Sequence, residues 1–156
     1  EEIARVASRF PGLSRRMEQI IPGLYTDYAH TPEKIRGAMS AALETAAGKK
    51  VIVVYEPLTN RRQLHMLDSY GDCFAGAEHI YWIPSYLARE DPKDRIIEPA
   101  ELISHLDDPS LASPAERNAE LKKTIQKHLD AGDMVVGMAG GGGGSLDDWL
   151  REEFGK

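Results

Sequence analysis

Two ionisable side chains, those of Asp27 and His30, lie three residues apart in the hexapeptide DYAHTP, residues 27–32. An extended segment precedes this hexapeptide, and Thr31 and Pro32 are typical of the cap and the first position of a helix. In open α/β sheets, ligands bind where a strand ends and a helix begins. Asp27 and His30 can therefore act together on a ligand hydroxyl, a phosphate or a metal. The alternative is a structural Asp–His hydrogen bond at a capped helix.

A second group with chemical potential is the pair Arg61-Arg62, which follows the apolar run VIVVY (51–55) by a few residues. Two arginines at the start of a helix can clamp a carboxylate or a phosphate. The alternative is a solvated pair on the first turn, where the helix dipole disfavours cations. Because that penalty applies to both residues, the pair favours a functional role. Arg15-Arg16 is a similar pair in a predicted loop and indicates little by itself.

The third candidate is the glycine run in MAGGGGGS, residues 138–145. A strand, a glycine run and a helix in succession are the setting of phosphate-binding loops. Such a loop needs Gly-Lys-Ser/Thr, but no lysine precedes Ser145, and Asp147 and Asp148 would repel a phosphate. A turn that lets the backbone approach another group closely is therefore the favoured interpretation, since glycine tolerates positive φ.

The remaining residues with potential chemistry give weaker signals. Four further histidines lack the spacing of metal ligands, so no zinc site is predicted. Tyr81 and Trp82 fall within a predicted strand and are interpreted as packing residues. The four histidines are His65, His79, His105 and His128.

Composition restricts the class of protein. The chain has 156 residues, 42% hydrophobic and 28% charged, which is ordinary for one soluble globular domain. A net charge of −6 argues against nucleic-acid or anionic-membrane binding. The single Cys73 excludes an internal disulfide. No apolar run approaches the roughly 20 residues that span a bilayer, and no signal peptide is found, so a cytoplasmic protein is expected.

Apolar periodicity predicts strands that alternate with helices, and therefore a doubly wound α/β domain with a mostly parallel sheet. Residues 1–18 are predicted to begin with a helix, and 20–27 to be extended around a Pro-Gly turn. Residues 85–95 are predicted to form an exposed loop. The predicted helices are 31–48, 61–76, 98–106, one opened by Ser113-Pro114, and one after Ser145; the predicted strands are 51–55, 79–84, 110–112 and 134–138.

In combination these motifs resemble a known family. The order RRME (15–18), DYAHTP, YEPLTNRR (55–62) and GDMVV (132–136), followed by a glycine turn, is similar to the C-terminal domain of Mur ligases. These are the ATP-dependent amide-bond ligases of peptidoglycan synthesis. The likeness is strongest to the branch acting on UDP-N-acetylmuramate, which includes L-alanine-adding ligases and murein peptide ligases. Residues 1–18 look like the end of a central domain, and 19–156 like the substrate-binding domain.

The resemblance implies a Rossmann-like fold and a two-step reaction. In the family, ATP phosphorylates the carboxylate of UDP-N-acetylmuramate, and L-alanine or a short peptide attacks the acyl phosphate. The central domain holds ATP and Mg²⁺, and the C-terminal domain closes over them. This chain has no GxxxxGK[ST] motif and lacks the Mg²⁺-binding acids of that domain, so it is expected to be inactive alone. Its start at Glu1 without methionine also suggests a fragment.

Roles carry over by matching positions. The resemblance implies that Arg16 meets the ribose or phosphates of the nucleotide and that Asp27 also contacts it. Tyr28 and His30 would line the pocket of the incoming amine substrate. Arg62 would hold the carboxylate of that substrate, for which a bidentate guanidinium is well suited.

The glycine turn would lie on the amine side of the cleft, with Gly142 and Gly143 next to the substrate. One departure concerns Leu58-Thr59, where alanine-adding enzymes usually have His-Arg and the recycling enzyme commonly has Arg-Ser. The identity of the added amino acid or peptide therefore stays open. A non-catalytic, Rossmann-like nucleotide-binding module is the alternative from a different functional class.

Overall fold

The computed structural model describes residues 14–88, 90–91, 93 and 95–155. The strands of the described chain are β1 (Glu18–Ile21), β2 (Leu24–Asp27), β3 (Val51–Glu56), β4 (His79–Trp82), β5 (Ala112–Pro114) and β6 (Met134–Ala139). The α-helices are α1 (Pro32–Ala46), α2 (Asn60–Met66), α3 (Pro99–Ile103), α4 (Ala119–Asp130) and α5 (Leu146–Phe154). Two short 3₁₀ helices, Leu67–Ser69 and Pro109–Leu111, complete the regular structure of the described part.

The strands form one sheet in the order β1-β2-β6-β3-β4-β5. β1 runs antiparallel to β2, and every other neighbouring pair is parallel. β1 and β2 meet at a tight turn in which Gly23 has a φ of 87°, a value that glycine tolerates without a Cβ clash. The predicted α/β class, the mostly parallel sheet and the Pro-Gly turn are all confirmed.

Helices cover both faces of the sheet, so the central strands are apolar on both sides. Along β3, Val51, Val53 and Tyr55 face a core shared with α1 and α3. Ile52 and Val54 face a second core, to which α4 and α5 contribute. The predicted strand over 51–55 is confirmed, and the structure covers it on both faces.

The predicted helix over 61–76 is wrong in its second half. α2 ends at Met66, and Leu64 on this helix is 46% exposed. Tertiary packing explains the difference. Tyr70 and Phe74 leave helical geometry to pack edge-on against Trp82, within an aromatic cluster that includes Tyr55. Burial of these rings outweighs the modest helix propensity of the segment.

The boundaries between 110 and 119 also differ from prediction. The strand begins at Ala112 and includes Pro114, and α4 begins only at Ala119. Asn118 explains the later start, because its side chain accepts hydrogen bonds from the backbone N–H groups of Glu120 and Leu121. An Asn cap of this kind is a stronger start signal than Ser113-Pro114.

The helix predicted over 98–106 is shorter in the structure and ends at Ile103. Residues 1–13, with their predicted helix, lie outside the described chain, and the domain boundary at residue 18 stays a prediction. In the described part, no helix combines the length and apolar character needed to cross a membrane.

Candidate functional site

The candidate site lies at the carboxyl ends of three neighbouring parallel strands, β2, β6 and β3. The sheet register pairs Asp27 with Met138 and Glu56 with Ala139. These strands therefore end at the same level, and the loops that follow them meet at one edge. Open α/β sheets bind their ligands at such an edge.

Asp27 is the last residue of β2 and is only 5% exposed. One carboxylate oxygen accepts a 2.9 Å hydrogen bond from the Met17 backbone N–H, and the other lies 3.7 Å from an Arg16 guanidinium nitrogen. Burial raises the pKa of Asp27, while the Met17 hydrogen bond and the Arg16 charge oppose that rise. The β1–β2 hairpin thus brings Arg16 back against Asp27, although eleven positions separate them in the sequence.

Positive charge gathers around the ring of Tyr28. The Arg15 guanidinium lies 4.5 Å from the ring centroid, the Arg16 guanidinium 5.7 Å and the Lys34 ammonium 5.6 Å. The ring face attracts such cations and helps to hold three like charges in a small volume. A site of this charge favours an anionic ligand.

His30 lies against Tyr28, with ring centroids 4.9 Å apart in an edge-on arrangement. The structural hydrogen bond between Asp27 and His30 that was considered from sequence is not formed. Instead the His30 Nδ1 is 3.0 Å from the Tyr28 carbonyl oxygen. Because a carbonyl only accepts, Nδ1 donates its proton, and the Nε2 of the neutral ring keeps its lone pair.

Burial lowers the pKa of His30, and the charges of Lys34, Arg62 and Arg16 lower it further. We expect the imidazole to titrate below 6.5, as measured by NMR of its ring protons. Since the folded-state pKa is depressed, neutral His30 contributes stability that is fully present above about pH 6.5 and is lost as the pH falls through the folded-state pKa. A midpoint at or above 6.5 would contradict this description of the site.

A cavity of about 380 Å³ opens beside these residues. Asp27 and the cations Arg16 and Lys34 form its polar walls, and Gly37 and neighbouring small residues of α1 form the rest. The side chain of Arg16 is 47% exposed, so donors of its guanidinium face the open space. The residues present fit a phosphorylated ligand. Two cations line the cavity, and the small residues of α1 leave room for the ligand.

The glycine turn, defined here as residues 140–145, meets the site through Gly140. A Cβ added at Gly140 would lie 2.4 Å from His30 Cγ and 2.5 Å from its Nδ1. Cβ atoms essentially never come this close to atoms to which they are not bonded, so a residue other than glycine would require His30 or the turn to shift. The favoured interpretation of the glycine run, close backbone approach, is consistent with this geometry.

The phosphate-loop alternative does not fit, because backbone N–H groups at the start of α5 already donate to carboxylates. The Leu146 N–H already donates to both oxygens of the Glu56 carboxylate, at 3.0 and 3.2 Å. The Gly144 N–H donates to Asp148 at 2.7 Å, and the Asp147 carboxylate accepts from the Thr26 hydroxyl. Carboxylates therefore occupy the position in which a phosphate would be held.

The two arginine pairs, Arg15-Arg16 and Arg61-Arg62, have different surroundings in the structure. Arg15 donates to the Ala139 carbonyl oxygen at 3.0 Å and contacts Asp147 at 3.5 Å, so it fastens the hairpin to β6. Arg61 and Arg62 are both exposed on the first turn of α2. The charge of Arg62 is one of the causes that lower the pKa of His30, and the predicted contact of Arg62 with a substrate carboxylate stays a prediction.

Sequence interpretation did not single out two residues at the site, Lys34 and Tyr86. Lys34 is a cation on the first turn of α1, the same signal that singled out Arg61-Arg62 at α2. Tyr86 reaches the glycine turn because backbone hydrogen bonds with Pro57 and Thr59 hold its loop next to the end of β3. Thr59 has a φ of 55°, a strained value for a β-branched residue. It stands in the Leu58-Thr59 step that departs from the family pattern.

Within the described ranges, no group of three His, Cys, Asp or Glu side chains is placed to hold a metal ion. The acidic residues at the site are already committed to neighbouring groups, as Asp27 is to Met17 and Arg16.

Fold and site together define an α/β domain that presents three cations around Tyr28, a neighbouring cavity and a glycine turn at the carboxyl ends of its parallel strands. A protein-family profile described as "Mur ligase, glutamate ligase domain" matches residues 15–141. The chain therefore belongs to the Mur ligase family, of which it is a C-terminal domain.

Curated relatives include UDP-N-acetylmuramate–L-alanine ligases. That of Allorhizobium ampelinum is 32% identical over 161 residues, covering 96% of this chain and 32% of the relative. That of Rickettsia canadensis is 27% identical over 157 residues, covering 95% of this chain and 33% of the relative. The chain thus spans about a third of the length of the curated relatives it matches.

Solved structures agree on the fold. A murein peptide ligase from Psychrobacter arcticus superimposes with a TM-score of 0.66 at 25% identity, over 97% of this chain and 32% of that protein. A UDP-N-acetylmuramate-alanine ligase from Thermotoga maritima gives a TM-score of 0.62 at 18% identity, over 92% of this chain and 30% of that protein. The second match supports the fold alone.

Proposed function

We propose that this chain is the C-terminal domain of an ATP-dependent ligase of peptidoglycan synthesis that joins UDP-N-acetylmuramate to L-alanine. The observation that carries the proposal is the cluster around Tyr28 and His30, where three cations, a buried neutral imidazole and a glycine turn meet at one sheet edge. The alanine-ligase relatives match nearly the whole chain, which supports this choice of reaction.

On the nucleotide side, the cavity lined by Arg16, Asp27 and Lys34 is the proposed contact for ATP. The exposed part of the Arg16 guanidinium can donate to phosphate or ribose oxygens, and Lys34 adds a second cation. Asp27 orients Arg16 through their 3.7 Å contact and offers an acceptor for a hydroxyl group. In this proposal ATP supplies the phosphoryl group that converts the UDP-N-acetylmuramate carboxylate into an acyl phosphate.

On the amine side, the proposal assigns Tyr28, His30 and Arg62 to the pocket of the incoming substrate. The exposed Arg62 guanidinium would bind the substrate carboxylate in bidentate fashion. The neutral His30 leaves an acceptor nitrogen for the amine, which must be deprotonated before it attacks. The surrounding cations would stabilise the negative charge that develops in the tetrahedral intermediate.

The proposed enzyme is longer than this chain. Its N-terminal and central domains would supply the UDP-N-acetylmuramate site, the phosphate loop and the Mg²⁺ ligands. The chain alone is therefore proposed to be inactive, and the whole enzyme to act in the cytoplasm.

A murein peptide ligase, which would add a recycled tripeptide in place of alanine, is the second candidate. The Leu58-Thr59 step matches neither the His-Arg usual in alanine-adding enzymes nor the Arg-Ser common in the recycling enzyme, so it favours neither candidate. The similarity to the Psychrobacter arcticus murein peptide ligase supports the second one.

An isotope-transfer experiment tests the proposed reaction. The full-length protein is given ATP, amine and UDP-N-acetylmuramate whose carboxylate carries a heavy oxygen isotope. An acyl-phosphate route transfers one heavy oxygen to the released phosphate, because the oxygen bridging carbon and phosphorus leaves with phosphorus. Release of phosphate without the label would contradict this mechanism.

Arg62→Ala in the full-length protein is expected to raise the KM for the amine substrate by about 10- to 100-fold, the loss of a charge-assisted contact worth roughly 1.5–3 kcal/mol. Steady-state kinetics with amine and ATP varied in turn measure the effect. Arg61→Ala, on the same helical turn, is the matched control and should leave the amine KM unchanged. An equal effect of the two substitutions, or none, would assign Arg62 to a solvated helix start.

A further inference from the structure

Glu56, the last residue of β3, carries a carboxylate that is 1% exposed. Both of its oxygens accept from the Leu146 N–H, at 3.0 and 3.2 Å. This bond ties the first residue of α5, and with it the end of the glycine turn, to the central strand of the sheet.

The hydrogen bond replaces a local cap. Ser145 stands at the capping position of α5, yet its side chain makes no capping hydrogen bond. A serine hydroxyl can accept a hydrogen bond from a backbone N–H at a helix N-terminus with a small desolvation free energy. Burying a carboxylate costs much more desolvation free energy. Burial indeed raises the pKa of Glu56, against the Leu146 hydrogen bond and the charges of Arg117 and Arg15. The chain therefore uses a costly cap that comes from another element.

Arg117 extends the same connection. Its guanidinium lies 3.7 Å from a Glu56 oxygen and donates a hydrogen bond to the Gly144 carbonyl oxygen. Arg117 thus bridges the buried carboxylate and the glycine turn. Arg15 and Asp148 are the other charged groups that act on Glu56.

The opposite side of the glycine turn rests on Tyr86. Its hydroxyl donates to the Gly143 carbonyl oxygen at 3.0 Å, and a Cβ at Gly141 would lie 2.8 Å from its ring. A Cβ at Gly143, by contrast, would meet no atom within 4 Å. The turn is therefore fixed from both sides while its edge at Gly142 and Gly143 stays open.

We propose that Glu56, together with Arg117, is a positioning residue that holds the open edge of the glycine turn in the orientation that binds the amine substrate. This inference rests on the proposed ligase function. It assigns to Glu56 an effect on amine affinity that operates through the turn, without contact to the reacting atoms. A turn freed from Glu56 would sample other orientations, so binding would have to select one of them.

The test is Glu56→Gln in the full-length protein, because glutamine keeps the size and one acceptor oxygen while removing the charge. We expect the amine KM to rise about tenfold, with the ATP KM and kcat at saturating amine within about twofold of wild type. Glu116→Gln removes an exposed carboxylate next to Arg117 and should change neither constant.

Unchanged amine KM, or equal rises in both KM values, would overturn the inference, since the second result indicates a general loosening of the domain. If Glu56→Gln does not fold, Arg117→Lys takes its place, with the same split expected at smaller size because lysine bridges two acceptors poorly. Wild-type protein that releases no phosphate would instead refute the proposed function. The two failures are therefore distinguishable.

Discussion

Gly140→Ala is expected to lower the free energy of unfolding of the chain by about 1–3 kcal/mol, the usual cost of forcing extra atoms into a packed region. The added Cβ would lie 2.4 Å from His30 Cγ and 2.8 Å from its Cβ. His30 cannot move aside cheaply, because it is 4% exposed and its ring contacts Tyr28. Urea unfolding, followed by the fluorescence of the two tryptophans, measures the change.

Gly143→Ala is the matched control for this prediction. It adds the same methyl group to the same turn, but at a position with no atom within 4 Å of the new Cβ. Its free energy of unfolding should stay within about 0.5 kcal/mol of wild type. Equal destabilisation by both substitutions would mean that the whole turn, and not the contact with His30, requires glycine.

Gly143→Val is expected to raise the amine KM of the full-length protein at least about tenfold, while the ATP KM changes by less than about twofold. The Tyr86 hydroxyl donates a hydrogen bond to the Gly143 carbonyl oxygen. In the described chain, no atom lies within 4 Å of a Cβ added at Gly143. In our account the amine substrate occupies that space, so a branched side chain there competes with it directly. Steady-state kinetics with each substrate varied separately measure both constants.

Gly37→Val serves as the comparison, because Gly37 also has open space around its Cα but lines the proposed nucleotide cavity. Its amine KM should stay at the wild-type value. If Gly143→Val raises the ATP KM as much as the amine KM, the glycine turn does not lie on the amine side of the cleft.

The elements that sequence predicts correctly are those whose signal is local. VIVVY and MVVGM are apolar on both faces wherever they are placed in the sheet, and both are central strands. A local signal could not predict the end of α2, because Tyr70 packs against Trp82 and Tyr55, which are distant in sequence. The start of α4 carried a readable signal in Asn118.

The candidate site likewise combines residues that are close in the sequence with residues that only the fold brings together. Asp27 and His30 are three residues apart, and sequence grouped them because a strand ends there, while Tyr28 was added by the family resemblance. The hairpin then brings Arg16 to Asp27. The glycine run predicted a close approach of the backbone to another group, but it did not identify that group as His30. Glu56 as the cap of α5 was not predictable, since ninety positions separate it from Leu146 and a serine already stands at the capping position.

The proposed ligase function is tested by measuring phosphate release from ATP by the full-length protein, with UDP-N-acetylmuramate and either L-alanine or the tripeptide. We expect release that requires ATP, UDP-N-acetylmuramate and one of the two amines together. The preferred amine then distinguishes an alanine-adding ligase from a murein peptide ligase. Nucleotide binding without phosphate release under any of these conditions would contradict the ligase function and favour a non-catalytic nucleotide-binding module.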